Sequence, residues 1–374
     1  MKNQLFICLT FILFPLLSVF SQERARDFGI EIGVMTPGKL NAITDISGVK
    51  VGHTTLIIGD SIRTGVTAIL PHGGNVFQQK VPAAVYVGNG FGKLAGSTQI
   101  AELGNLETPI ILTNTLSVPT AMNAVIDYTL NLDGNENVFS VNAVVGETND
   151  GYLNDIRGRH VTEKDVISAI EAATEDNTQE GNVGAGTGTI AFGYKGGIGT
   201  SSRKLPESLG GHTVGVLVQT NFGGVLQING VQVGEELGKF SFSDELLNNV
   251  DGSCMIVVAT DAPLDSRNLE RLAKKAFLGL AKTGGIASNG SGDYIIAFST
   301  AEDLQIPYRI ETNTIYQEVV PNDRVTPLFM AAIEATEEAI INSLFMAETM
   351  TGFEGRTIEQ LPVEEVLEMV NERK

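Results

Sequence analysis

The sequence predicts an α+β fold in which sheets are covered by helices in layers, and three observations predict it. Short β-type runs come in blocks. Helical patterns with capping signals fall between those blocks. Glycine, which tight connections need, is abundant: 42 residues of 374, above the roughly 7% of ordinary usage. The length suits one large or two ordinary domains, and 43% hydrophobic residues is a globular composition. There is no fixed-period repeat and no low-complexity tract.

The chain opens "MKNQLFICLTFILFPLLSVFSQ". One lysine precedes an apolar run from Leu5 to Phe20 that contains Pro15 and is short of the roughly 20 residues of a membrane span. Val19 and Ser21 make a cleavage pattern before Gln22, so residues 1–21 read as a secretory signal and the mature protein as periplasmic or secreted. Cys8 leaves with the signal. Cys254 then remains as the one cysteine, which excludes an internal disulfide.

The β-type runs follow in order: "VKVGHTTLII" from Val49, "GVTAILP" from Gly65, "AAVYVGNG" from Ala83, "PIILTNT" from Pro109, then "NVFSVNAVVGE", "TGTIAFGYKGG" and "HTVGVLVQTNFGGVLQING". "SVPTAMNAVIDYTL" reads as a helix capped by Ser117, and "TEKDVISAIEAA" as one capped by Thr162 with Asp165 three residues on, a capping-box variant. After Asp265, Leu269, Leu272, Ala273, Ala276, Phe277 and Leu280 share one helical face, with Gly284 to close the end. "TPLFMAAIEATEEAIINSLFMA" starts with Thr326 before Pro327, at the first helical position. Both apolar stripes read as core faces.

No Pro/Gly/Ser linker divides the chain. The weakest joint is the charged segment 231–252. A piece starting at residue 253 would open on a strand buried in the rest, so 22–374 reads as a single domain. The formal charge of −19 disfavours a phosphate backbone as partner, so no nucleic acid is expected, nor a membrane once the signal is gone. No HxxxH, HExxH or CxxC occurs, so no metal is expected. "GNVGAGTGT" lacks the context of a nucleotide loop, so no cofactor is expected either. Its glycines are expected to let backbone pass close to the site below.

That site is "DGSCMIVVAT", where a Gly-Ser pair feeds directly into a strongly apolar run. A serine nucleophile needs a base. The four histidines, His53, His72, His160 and His212, stand in no nucleophile-elbow or triad context. The other solution is an N-terminal nucleophile. Cutting between Gly252 and Ser253 frees an α-amine of reference pKa about 7.7–8.0, which can act as the base for its own hydroxyl. Taken alone, Gly-Ser is also ordinary turn chemistry. Cys254, next along a strand, should point to the opposite face and be buried and inert.

The stretch "GSCMIVVATDAPLDSRNLERLAKKAFLGLAKTGGIASNGSGDYIIAFST" resembles the self-processing L-aminopeptidase D-amidase/esterase family, which includes the β-aminopeptidases. The resemblance continues through "NAITDISGVKVGHTTL", "TGVTAILP", "TPIILTNTLSV", "VVGETNDGYLNDI", "GAGTGTIAFGYKGGIGTSSR" and "GVLVQTNFGG", from about 40 to 350. It implies a four-layer αββα sandwich of N-terminal-nucleophile type. It also implies self-cleavage into an α polypeptide, 22–252, and a β polypeptide, 253–374, assembled as a homo-oligomer of processed heterodimers. It matches Ser253 to the nucleophile, Asn221 to the oxyanion hole, Ser291 and Asp293 to a serine–acid pair beside the nucleophile, and Glu147 to a carboxylate that receives the substrate's amino group. Relatives can carry Glu at the position of Asp293, and some carry Tyr at that of Asn149.

The implied function is release of N-terminal α-, D- or β-amino acids from small peptides, amides or esters through an acyl-enzyme on Ser253. Two alternatives stand beside it: an acyltransferase of the ornithine acetyltransferase-like type, and an uncleaved, non-catalytic binding protein.

Overall fold

The structure is a computed structural model describing residues 22–242, 252–310 and 312–372. The expected signal segment, 1–21, lies outside the described residues. The main strands are β1 (Lys50–Ile58), β2 (Ile62–Leu70), β3 (Gln79–Gly90), β4 (Ile110–Asn114), β5 (Val144–Thr148), β6 (Ile198–Lys204), β7 (Thr213–Asn221), β8 (Ser253–Thr260) and β9 (Gly292–Ser299). The main helices are α1 (Val118–Leu130), α2 (Glu163–Glu171), α3 (Ser266–Lys282), α4 (Thr326–Phe345) and α5 (Val363–Asn371).

Two sheets form. One has the order β1-β2-β4-β5 with the short strand Leu94–Ala95 at its edge; the other runs β6-β7-β8-β9-β3, edged by Ile306–Pro307. β1 and β2 make a tight antiparallel hairpin, Ile58 opposite Ile62, whose turn opens at Gly59 with φ +52°. That conformation is open to glycine at little cost.

Alternation along β8 shows the layering. Cys254, Ile256 and Val258 join the core under α3 and α4, whereas Met255 and Val257 join a second core shared with Val51, Ile69, Leu112 and Val144 of the facing sheet. A third core lies between the first sheet and α1 and α2. The layers are therefore helix, sheet, sheet, helix: the αββα sandwich expected. Every residue of β8 is buried, because the strand is covered on both faces and flanked by β7 and β9. Each of its wholly buried Ile and Val side chains stabilises by about 1.5–3 kcal/mol.

The caps at Thr162 and Asp265 form as the sequence predicts, with Thr162 Oγ1 accepting from Asp165 N–H and Asp265 accepting from Asn268 N–H. Ser117 does not cap α1. Asn114 caps the preceding turn instead, accepting from Leu116 and Ser117 N–H.

The stripe reading of α4 is incomplete. Glu334 and Glu338 are buried as well, because the wholly buried Arg203 bonds to both, at 3.2 and 2.6 Å, and Arg26 and Asn41 also reach Glu338. Burial would raise the Glu338 carboxylate, but the Arg26 hydrogen bond and the Arg203 charge outweigh it and hold the group below the usual range.

Candidate active site

Ser253 is the first residue of β8. The antiparallel register sets Asn221, the last residue of β7, directly across from it, and the parallel register sets Gly292 on its other side. Its parity with Met255 aims the side chain into the space between the sheets. Ser253 Oγ donates to the Gly252 carbonyl at 2.7 Å, and the Gly292 N–H reaches both Oγ, at 3.3 Å, and that carbonyl, at 3.1 Å. The hydroxyl is thus held against the peptide bond that precedes it.

Gly252 has a steric reason to be glycine. A Cβ there would lie 2.5 Å from Phe222 Cα and 2.6 Å from the Asn221 carbonyl oxygen. Asn221 is buried, and its Oδ1 accepts the Ile190 N–H at 3.0 Å. That bond fixes the amide so that its NH₂ is the opposite, donating end.

Ser291 and Asp293 meet each other: Ser291 Oγ donates to Asp293 Oδ1 at 2.8 Å. Asp293 sits beside Cys254 in the ladder and accepts its backbone N–H. Burial pushes the Asp293 carboxyl up to about 6, against the Ser291 and Cys254 hydrogen bonds that lower it. Among the described residues its Oδ2 has no hydrogen-bond partner. Asn89 of β3, which the sequence did not flag, holds this loop by donating from Nδ2 to the carbonyls of Ser291 and, at 3.0 Å, Ser288.

Glu147 is a buried strand residue. It lies in β5, only 3% exposed, and accepts the Lys93 N–H at 3.0 Å and the Thr115 hydroxyl. It shares with Ser253, Gly252 and Asn221 the lining of one cavity of about 780 Å³, walled by Phe91, Tyr152, Phe192 and Phe222. Ser291 and Asp293 stand behind this lining, one strand over. Cys254 is fully buried on the helix-side face, and burial raises its thiol well above the ordinary value.

The structure differs from one sequence expectation, and one buried residue carries no sequence signal. The glycines of "GNVGAGTGT" do not crowd the Gly252–Ser253 bond. A Cβ on Gly184 would strike Thr67 and His53, one on Gly186 would strike Ile198 and Gly197, and one on Gly188 would strike Arg63. They let this segment pack on β1, β2 and β6, and the chain meets the cavity only beyond it, at Ile190, Phe192 and Gly193. Lys195 is the residue without a signal. It is wholly buried, and its ammonium donates to the carbonyls of Gly186 and Gly196 at 3.0 and 2.6 Å, closing the loop that carries Ile190. No motif marks it, because its partners are backbone.

Among the described residues none of the four histidines lines the cavity. His53, half-buried in β1 against Thr67, is pulled down to about 4 by desolvation and stays neutral. No group of three or more His, Cys, Asp or Glu is set to hold a metal among the described residues.

The fold and the relatives it matches make the chain a serine-type aminopeptidase. The chain belongs to Peptidase family S58, whose profile it matches over residues 41–358. It is 42% identical over 365 residues to the β-peptidyl aminopeptidase BapA of Sphingosinicella microcystinivorans, which covers 91% of this chain and 89% of that one. Among solved structures it is similar to the PH0078 protein of Pyrococcus horikoshii OT3, with TM-score 0.86 and 48% identity over 94% of this chain and 99% of that one. It is also similar to the L-aminopeptidase D-Ala-esterase/amidase of Ochrobactrum anthropi, described as a prototype of the serine aminopeptidases and a variant of the Ntn hydrolase fold. That match has TM-score 0.86 and 36% identity over 94% and 98% of the two chains.

Proposed function

We propose that the chain cuts itself between Gly252 and Ser253, and that the freed Ser253 is then both nucleophile and base. Oγ attacks the Gly252 carbonyl carbon, its proton passes to the departing amide nitrogen, and the C–N bond breaks to leave an ester. Water opens the ester, giving a Gly252 carboxylate and restoring the Ser253 hydroxyl beside a free α-amine. The observation that carries this reading is the 2.7 Å hydrogen bond from Ser253 Oγ to the Gly252 carbonyl oxygen, which keeps the hydroxyl on the bond to be cut, at the wall of a cavity shared with Asn221 and Glu147.

In turnover, Glu147 takes the substrate's ammonium by a charge-assisted bond, which selects substrates with a free amino terminus. The amine of Ser253 accepts the Oγ proton as Oγ attacks the substrate carbonyl. The Asn221 NH₂ donates to the developing oxyanion. The proton passes to the leaving nitrogen, and water releases the acyl group. Ser291 and Asp293 hold the new amine from behind. Short peptides, amides and esters bearing an α-, D- or β-amino residue are the substrates; the 42% identity to a β-peptidyl aminopeptidase supports the β class. Removal of residues 1–21, a periplasmic or secreted location, and assembly of processed heterodimers into a homo-oligomer complete the reading.

A panel of chromogenic amides of L-, D- and β-amino acids tests it. Turnover of amides with a free amine, lost in Ser253→Ala, is expected. Equal turnover of N-acetylated amides contradicts the role of Glu147.

A further inference from the structure

Among the described residues, the charged side chains lining the cavity are three cations, Lys93, Lys239 and Arg356, and one acid, Glu147. In a chain of net charge −19 this is a local inversion, and a cavity concentrates the field of its own lining. The cations differ. Lys93 Nζ stands 3.8 Å from Glu147, and Arg356 pairs with Glu354 while lying over Tyr152.

Lys239 has no carboxylate at ion-pair distance among the described residues. Its ammonium lies 3.9 Å above the Tyr194 ring, half-buried. Its stem crosses Gly193, at φ +79°, where a Cβ would come within 3.0 Å of Lys239 Cε. Burial lowers its pKa from the ordinary value, against the raising charge of Glu359. A part-desolvated ammonium with no counter-charge at contact gains from an incoming anion.

Glu147 belongs to one sheet, whereas Lys239 lies on the chain that follows β7 of the other. The cavity volume is that of a small-molecule site. We propose that Lys239 is a carboxylate-binding residue of the substrate site, and that the substrates are short peptides of dipeptide length. The peptide's ammonium sits at Glu147 and its free C-terminal carboxylate at Lys239, with the scissile amide at Ser253. This rests on the aminopeptidase mechanism assigned above to Ser253, Asn221 and Glu147.

The test compares kcat/KM for a dipeptide with that for its C-terminal amide, the first residue being the one cleaved fastest in the chromogenic panel and the second glycine. The wild type is expected to favour the free acid at least tenfold. In Lys239→Met that ratio should fall about tenfold through KM, and Lys239→Arg should keep most of it. A wild-type ratio near one overturns the carboxylate site without any variant, as does an unchanged ratio in a turning-over Lys239→Met. An enzyme that hydrolyses neither compound contradicts the mechanism itself instead.

Discussion

Asn221 stands directly across the antiparallel ladder from Ser253, the last residue of one interior strand facing the first of the next, so the proposed donor and nucleophile sit at the same end of two paired strands. Both strands are paired on each side, which holds their ends rigidly, and the Ile190 N–H fixes which end of the amide donates. Removing such a donor typically costs about 2.7–4 kcal/mol of transition-state stabilisation. Asn221→Ala should therefore lower kcat by roughly 10²–10³-fold with little change in KM. Steady-state kinetics on fully processed protein measures this, and a tenfold rise in KM at unchanged kcat would assign Asn221 to binding instead.

Gly252→Ala should slow or stop self-cleavage. The added Cβ falls 2.5 Å from Phe222 Cα, so the backbone must move and carry the carbonyl away from Ser253 Oγ. A time course on denaturing gels after cell-free synthesis reads this. Cleavage at the wild-type rate would mean that the tight fit is incidental.

Glu147→Gln keeps the Thr115 and Lys93 partners within reach but removes the charge that meets an ammonium. A hydrogen bond to a charged group is worth about 1.5–3 kcal/mol. KM should rise by roughly 10–150-fold, and a free N-terminal amine should no longer be required. Kinetics with amino and N-acetyl amides decide it.

The pH profile follows from two groups. The Ser253 amine must be unprotonated to accept the Oγ proton, and its reference pKa is about 7.7–8.0. Asp293, raised to about 6 by burial, must be ionised to hold that amine. Both carry protons at low pH, so activity is lost as pH falls. Log kcat/KM should drop with slope one below about pH 7.7 and slope two below about pH 6. In Asp293→Asn the slope should stay one throughout. Slope one in the wild type down to pH 5 would remove Asp293 from the mechanism.

Much of the fold is legible in the chain because β-branched runs and capped, amphipathic helices report themselves locally. Other features depend on distant partners. "NVFSVNA" alternates like a strand, yet strand structure begins only at Val144, and Phe139 is 93% exposed: alternation without a neighbouring strand does not pair. Ser117 looks like the helix cap until Asn114 is seen to supply the bonds. The buried glutamates of α4 depend on Arg203 and Arg26, far off in the chain. In the site, the glycine and the strand after it make Ser253 a candidate that turn chemistry explains equally well; its role, like those of Asn221, Ser291, Asp293 and Glu147, comes from the family resemblance. Residue chemistry alone did not bring them together, because their proximity is set by strand register. Lys195, Asn89 and Lys239 act on backbone, on a ring or across the cavity, and none carries a local signature.

Intact-mass analysis of the purified protein tests the central claim most directly. Active wild type should consist of two polypeptides, one ending at Gly252 and one beginning at Ser253, and Ser253→Ala should be a single inactive chain. Wild-type protein that hydrolyses amino-acid amides while its Gly252–Ser253 bond is whole would contradict the account.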